Sequence, residues 1–400
     1  MRPDHDLLVL GGGCAGLSLA QRLAEAGATA PRVLVLEARG AYRDDRTWCF
    51  WRTRPHRHDG IVSHAWPRVR VATADGRACV AATPQAPYQM IRGADFYAAA
   101  QASIAAAPNV TLELGASVGA VRLRADGVWS VETGDGPVTA RAVVDTRPDR
   151  RPAPGGARLW QSFHGREIAV DGAPFDPTTV ELMRFSPPRD DRVAFTYVLP
   201  LAPGRALVEA TAFAADPLPS PALFGDLERA IAQATAGRGG TCLREESGVL
   251  PMGLLGPAPA GPEGPGYVRA GLMAGGARPS SGYAFRRIQA WADTCAQAVV
   301  AGGPPIPAAP DGRLLAFMDG LFTKVLAADP ARGPDLFEAL FRRTPAMRLV
   351  RFLSDEPSLL DAAAMALALP PAPFLRVLAG LEARPRHAFG AKSLFGEAAP

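Results

Sequence analysis

Four hundred residues, 48% of them hydrophobic and 20% charged, describe a globular chain of two or three domains with an ample core. Glycine and proline, 41 and 39 residues, stay below the level of low-complexity sequence, and the net charge of +4 is spread over scattered arginines, with only Lys324 and Lys392 as lysines, so nothing points to nucleic acid as a partner. The five cysteines (Cys14, Cys49, Cys79, Cys242, Cys295) are odd in number and lack paired spacing, which excludes a disulfide framework and a zinc site and suggests a reducing compartment.

The N-terminal segment carries two acids and enters a strand by Leu7, unlike a secretory signal. That strand runs into Gly11-x-Gly13-x-x-Gly16, followed by Leu17, Ala20, Leu23 and Ala24 at helical spacing up to Gly27. The glycines let the backbone turn tightly and approach a pyrophosphate, whose charge meets the free amides and positive dipole end of the helix. A second strand, Val33 to Leu36, ends in Glu37, at the distance where a carboxylate binds ribose hydroxyls. Three aromatics, Trp48, Phe50 and Trp51, follow at once. Such residues are most often plain core, but beside a cofactor site they also suit a pocket that stabilises a cation without offering a nucleophile.

Short strands then alternate with turns: Val69–Thr73, Val110–Leu114, Val118–Leu123, Val128–Glu132 and Val138–Asp145. A Pro-rich boundary at 147–156 leads to longer strands, Leu159–Val170 and Thr179–Phe185, and to a hairpin of Val193–Leu199 with Arg205–Thr211. A helix is expected over Pro221–Ala236, with Ser220 as cap and Gly237 as stop. Residues 251–266 read as loop. Phe285, Ile288, Trp291, Ala292, Cys295 and Val299 mark a helix ending at Gly302; Gly303–Pro310 is a second linker, and the rest reads as helical. Ala362–Leu375, the longest uncharged apolar stretch, is broken by Pro370, Pro371 and Pro373 and is too short to span a bilayer.

In the hairpin strand RALVEAT, alternation puts Leu207, Glu209 and Thr211 on one face and Ala206, Val208 and Ala210 on the other. If the first face is buried, desolvation keeps Glu209 protonated near neutral pH, as a general acid requires. A solvated strand glutamate is the other reading of the same pattern.

The chain resembles the bacterial-type lycopene beta-cyclases, within the geranylgeranyl-reductase-like FAD flavoproteins, over nearly its whole length. The resemblance is carried by LLVLGGGCAGLSLA, RTWCFW, HAWPRVRV (64–71), PYQMIRGADF (87–96), TYVLPLAPGRALVEAT (196–211), GVLPMG (248–253), AGLMAGGARPSSGY (270–283) and LFRRTPAMRLVRFL (340–353). It implies an α/β fold: a Rossmann-like FAD-binding domain (1–82 with 105–150 and 266–302), an inserted antiparallel β-sheet substrate domain (83–104 with 151–265) and a C-terminal helical region (303–400). It further implies Glu209 as the catalytic acid and Gly11, Gly13, Gly16, Glu37, Gly275, Pro279, Ser281 and Gly282 at the FAD, with Asp145 supporting the flavin domain. Trp48, Trp51, Phe195 and Tyr197 would line the substrate pocket.

The implied reaction closes the ψ end groups of lycopene and related linear carotenes without net redox change, with FAD reduced but not consumed and NAD(P)H as reductant. No second strand-GxGxxG-helix unit is present to hold the nicotinamide. A substrate dissolved in the bilayer implies a cytoplasmic enzyme peripheral to the membrane, with other enzymes of carotenoid synthesis as partners. Residues 336–353 have the composition of an interfacial helix, or equally of a helix packed on the other domains. Two departures stand out: Ala210 replaces an acid or polar residue beside Glu209, and the family's histidine in the late flavin segment gives way near Arg278. A flavin-dependent hydroxylase, an isoprenoid saturase and a non-catalytic carotenoid carrier are the competing readings.

Overall fold

A computed structural model describes residues 3–27, 31–148, 156–255 and 262–381; most of the expected 147–156 boundary, part of the 251–266 loop and the end of the C-terminal region lie outside the described residues. The first part of the chain forms β1 (His5–Leu10), α1 (Cys14–Glu25), β2 (Val33–Glu37), β3 (Thr47–Trp51), β4 (Val62–Trp66), β5 (Arg68–Ala72), β6 (Ala78–Ala82), β7 (Tyr88–Arg92) and α2 (Gly93–Ala105). Then come β8 (Val110–Leu114), β9 (Val118–Leu123), β10 (Trp129–Thr133), β11 (Gly136–Asp145), β12 (Ala157–Val170), β13 (Thr179–Phe185), β14 (Arg192–Ala202), β15 (Arg205–Ala214), α3 (Phe224–Ala234), β16 (Gly240–Leu254) and β17 (Tyr267–Arg269). Helices close the chain: α4 (Phe285–Val300), α5 (Arg313–Ala328), α6 (Gly333–Arg343), α7 (Ala346–Leu353), α8 (Leu359–Ala368) and α9 (Pro371–Leu378).

The strands make three sheets. The first has the order β8-β2-β1-β11-β10-β9, with β17 beside β11. Its β8, β2, β1, β11 and β17 pair in parallel, and β9, β10 and β11 form an antiparallel meander. Leu7 and Val9 of β1 pack with α1, α2 and α4, whereas Leu8 and Leu10 share a cluster with Trp129 and Val131. This two-sided burial is why the first strand is an unbroken apolar run. The fold is α/β, with this Rossmann-like layer at its head.

The second sheet runs β16-β12-β15-β14-β13-β5-β6, antiparallel except for the β13–β5 pair. On one face, Ala206, Val208, Ala210 and Ala212 of β15 lie beneath α3; on the other, Leu207, Phe195 and Phe213 lie beneath the C-terminal helices. The third sheet, β3-β7-β4, carries the aromatic segment.

Several expectations change. β5 and β6, assigned with the dinucleotide layer in 1–82, extend the second sheet, because Val69 and Val71 bury in its core cluster. α2, assigned to the substrate part in 83–104, buries Phe96, Tyr97, Ala100 and Ile104 in the core of the first layer. β16 crosses a stretch with no expected strand and ends in the segment read as loop; it is an edge strand, where Pro251 costs no ladder hydrogen bond. The helix expected from Pro221 begins as a 3-10 turn over Ser220–Leu223, and Ser220 makes no side-chain cap.

Residues 336–353 are not one interfacial helix. Pro345 breaks them into α6 and α7; Phe337 packs on the rings of Phe185, Phe213 and Phe322, and Leu336, Leu340 and Phe341 are buried in the same cluster. Burying each of these side chains stabilises the packing by about 1.5–3 kcal/mol, which holds that face against the second sheet. Among the described residues no single helix is long and apolar enough to cross a membrane.

Candidate active site

Gly11 ends β1 with φ of +95° and donates its amide to the Leu36 carbonyl at 2.8 Å. A Cβ at Gly16 would run into the Gly11 carbonyl, so a side chain there would push α1 away from the turn. Gly13 differs: a Cβ there would meet nothing within 4 Å, because it borders open space at the N-terminus of α1. Glu37 is buried at the end of β2, and its carboxylate accepts from the Gly12 amide at 2.6 Å and from the Arg39 amide and Nε at 2.9 Å each. Burial works against its charge, but the bonds from Arg39 and Gly12 hold the carboxyl below the usual range. Arg39 also lies over the rings of Tyr42 and Tyr97, 4.8 and 5.2 Å from their centroids.

The second glycine segment reaches the same place. Gly271, at φ of +87°, lies where a Cβ would be 3.3 Å from that of Ala15, so the segment touches the start of α1. Gly275 and Pro279 border a cavity of about 200 Å³ shared with Pro251, Leu254, Leu272 and Arg287. Gly282 faces elsewhere: a Cβ there would strike Oε1 of Gln161 in β12, which makes it a close-approach residue against the second sheet. The Ser281 hydroxyl accepts from the Tyr283 amide at 3.4 Å. Arg278, fully buried, forms bidentate bonds to Asp319 of α5 at 2.9 and 3.0 Å and lies over the Phe352 ring. It ties this segment to the C-terminal helices. The open glycines, the helix N-terminus and the held carboxylate fit a dinucleotide with a pyrophosphate. Asp145 bonds Arg147 and the Tyr267 hydroxyl, both at the edge of this layer.

The second centre lies on the sheet. Glu209 is buried in the middle of β15, and the register sets Tyr197 of β14 on one side, Gly165 of β12 on the other and Glu246 of β16 beyond Gly165. The Tyr197 hydroxyl donates to that of Tyr88 at 3.1 Å, and Tyr88 meets the Tyr283 hydroxyl at 3.2 Å. Trp51 packs on Tyr88 and Tyr283 at ring distances of 4.6 and 5.5 Å, and Cys49 lies beside Tyr197. Burial raises Glu209 well above the ordinary carboxyl range, and the neighbouring Glu246 raises it further against the opposing pull of Arg244. Burial likewise keeps Cys49, Tyr88, Tyr197 and Tyr283 neutral. The arrangement is one buried carboxyl, pushed toward its neutral form, with buried aromatic side chains on one side and the Glu246–Arg244 pair on the other. Among the described residues no group of three or more His, Cys, Asp or Glu could hold a metal ion.

The sequence profile of the lycopene cyclase protein family matches residues 6–379. The chain belongs to this family. A lycopene beta-cyclase from Pseudescherichia vulneris is 28% identical over 317 residues, which are 76% of each chain. Solved structures of similar fold include a geranylgeranyl bacteriochlorophyll reductase-like protein from Thermoplasma acidophilum (TM-score 0.59, 15% identity, covering 94% of this chain and 99% of that one). A flavoprotein/dehydrogenase from Cytophaga hutchinsonii (TM-score 0.59, 12% identity, 94% and 100% covered) and a p-nitrophenol 4-monooxygenase from Pseudomonas putida (TM-score 0.53, 17% identity, 96% and 98% covered) share it too.

In this lycopene cyclase family member the structure brings Trp51, Tyr197 and Glu209 together but not Trp48. Alternation along β3 sends Trp48 and Phe50 to Phe96 and Phe285 in the dinucleotide layer. Phe195 lies two residues from Tyr197, in edge-to-face contact with Phe185 and Phe213. Ala210 faces α3, away from Glu209. Sequence reasoning missed Arg39, Gly165, Arg244 and Glu246. For Gly165 a signal existed, since a glycine inside a long strand marks a close approach; for Glu246 none did.

Proposed function

We propose that this chain is a lycopene beta-cyclase that converts ψ end groups to β-ionone rings, giving β-carotene by way of γ-carotene, with FAD bound in its reduced form and NAD(P)H as external reductant. Glu209 carries the reading: a buried carboxyl pushed toward its neutral form, with tyrosine and tryptophan around it and the arginine-held Glu246 as its neighbouring carboxyl. The Gly11–Gly16 turn, Glu37 and the Gly271–Gly275 segment would hold FAD, and Tyr283 joins that segment to the hydroxyl chain reaching Tyr197. When bound, the reduced flavin supplies negative charge near a carbocation.

The chain's own groups do the rest. The Glu209 proton goes to the terminal alkene, whose π pair becomes the new C–H bond and leaves a tertiary cation. The internal alkene closes on that cation, and the ring carbon beside the new cationic centre returns one proton to the Glu209 carboxylate, which forms the ring double bond and restores the acid. One proton enters and one leaves, with no change in mass. Trp51, Tyr88 and Tyr197 exclude water that would trap the cation.

The membrane contact implied by such a substrate moves to α8 and α9. Leu359, Leu360, Leu367, Leu375 and Leu378 are 56–83% exposed there, beside the exposed Arg376. An apolar surface with a cation beside it suits an anionic bilayer. Flotation with anionic liposomes tests it: Leu367→Asp should release a protein that floats, whereas wild-type protein left at the bottom of the gradient defeats the assignment.

The activity test is anaerobic incubation with lycopene in liposomes, comparing oxidised with chemically reduced FAD. Cyclic product of unchanged mass, formed only with reduced flavin, supports the cyclase. A gain of two hydrogens per reduced double bond identifies a saturase, nicotinamide oxidation coupled to oxygen uptake a hydroxylase, and bound but unchanged lycopene a carrier.

A further inference from the structure

We infer that Glu209 and Glu246 form a single-proton pair across the gap that Gly165 leaves in β12, with Glu246 as the residue that positions and holds the proton on Glu209. The pair stands on geometry; only its consequence for turnover rests on the cyclase reading.

β12 lies between β15 and β16, and its register sets Gly165 opposite both Glu209 and Glu246. Residues paired laterally project from the same face, so the two glutamates point the same way with β12 between them. Their backbones are about 10 Å apart, two strand spacings, and the side chains meet only if the intervening position is empty. It is empty because residue 165 is glycine. A Cβ there would lie 2.5 Å from Cγ of Glu209 and 3.1 Å from its Oε1, so the Glu209 side chain occupies the space above Gly165 and leans toward β16. There the register brings it toward Glu246, which also pairs with Gly165 and raises the Glu209 carboxyl.

The environment decides which member keeps the proton. Oε2 of Glu246 accepts from Arg244 Nη1 at 2.5 Å and from the Thr47 hydroxyl at 2.7 Å. Arg244 is fixed in turn by Glu167 at 2.6 Å and donates to Thr47 at 2.8 Å. These donors serve Glu246 and none of them reaches Glu209, so the shared proton sits on Glu209. Around Glu209 itself, β3 presents Cys49 and Thr47, β14 presents Tyr197 with Tyr88 and Tyr283 behind it, β12 presents Glu167 two residues along from Gly165 and paired with Arg244, and β16 presents Glu246 and Arg244. The carboxylate and guanidinium groups among these are Glu167, Glu246 and Arg244. Losing the proton from Glu209 would set two carboxylates in contact in a dry site, a state that a cation on a bound substrate would relieve.

The test uses the full-length, flavin-loaded protein. Infrared difference spectra would follow the C=O stretch of the protonated carboxyl from about pH 5 to about pH 9, alongside the pH profile of lycopene cyclisation. Wild type should keep the band to the alkaline end, and Glu209→Gln should lack it. In Glu246→Gln, which preserves size and a hydrogen-bonding group but removes the charge, the band should be lost at lower pH. The alkaline limb of the rate should move the same way by about one unit, a roughly ten-fold lower rate above it. Gly165→Ala should displace the Glu209 side chain and shift both readouts in that direction. Glu246→Asp, which keeps the charge but shortens the reach, should shift them less, and it carries the test if the glutamine variant does not fold.

A wild-type band that titrates in the ordinary carboxylate range, or a Glu246→Gln profile superimposed on wild type, overturns the pair. If the band behaves as described and lycopene is left uncyclised, the pair stands and the cyclase reading falls. If lycopene is cyclised and the Glu246→Gln limb does not move, the reverse holds.

Discussion

Glu37 and Glu209 have nearly the same fractional exposure, 6% and 8%, although Glu209 lies deeper, and their carboxyls are shifted in opposite directions. Glu37 ends a strand in reach of Arg39 and the Gly12 amide, so three N–H donors offset the cost of burying its charge. Glu209 has no such donors; burial and a second carboxylate both favour its neutral form. Low exposure alone therefore assigns neither role. The donors beside one carboxylate fit it to accept from ribose hydroxyls, and their absence beside the other fits it to give up a proton.

The sharpest way to break this contrast is Glu209→Gln. Cyclisation should fall by about 10²- to 10⁴-fold or more, the contribution of a positioned general acid, while flavin content stays unchanged. The same variant has a stability signature. Because the folded protein holds Glu209 protonated above its ordinary value of 4.5, its contribution is fully present below about pH 4.5 and is lost as pH rises. Glu209→Gln should thus melt higher than wild type at neutral pH, with the gap closing toward pH 4.5, by about 2–4 °C for each kcal/mol removed. Calorimetry across that range checks it, and an equal gap at every pH would show that Glu209 is not held neutral.

Next in size is Gly16→Val. Its Cβ would meet the Gly11 carbonyl, so α1 must shift or the turn must open, at about 1–3 kcal/mol. The expected result is protein purified with little flavin, read from the visible absorbance ratio, with the second sheet still folded. Glu37→Gln acts in the opposite sense to Glu209→Gln. Its ionised form stabilises above the ordinary carboxyl value and loses that effect as pH falls, so the variant should be destabilised by about 2 kcal/mol at neutral pH and by less in acid. Flavin affinity should drop with it, measured by fluorescence titration.

The two centres were also unequally legible. The dinucleotide turn, its helix and Glu37 are contiguous in sequence and governed by local backbone geometry, so glycine spacing and one acid at a fixed distance locate them. Glu209 was visible through strand alternation. Its partner was not: Glu246 lies on β16, whose charged, Gly- and Pro-containing sequence has weak strand character and is ordered by pairing with β12. Non-local pairing also moved β5 and β6 into the second sheet and sent Trp48 to the face of β3 away from Glu209. The amphipathic 336–353 segment fitted a membrane helix and a packed helix alike, and only the aromatic surface of Phe185 and Phe213 opposite it decides for packing.

The smallest effect should come from Ala210→Ser, which places a polar group next to Glu209 in sequence. Residue 210 shares a cluster with Val208, Ala212 and Leu227 beneath α3, on the face of β15 opposite Glu209. A hydroxyl there has no route to the acid through the strand. It would be buried among apolar groups at a cost of about 1–3 kcal/mol, less if it finds a backbone carbonyl on α3. Stability should therefore fall slightly while the pH dependence of cyclisation stays where wild type has it. A shifted alkaline limb would mean that the two faces of β15 are coupled, and would place part of the control of Glu209 under α3 rather than across Gly165.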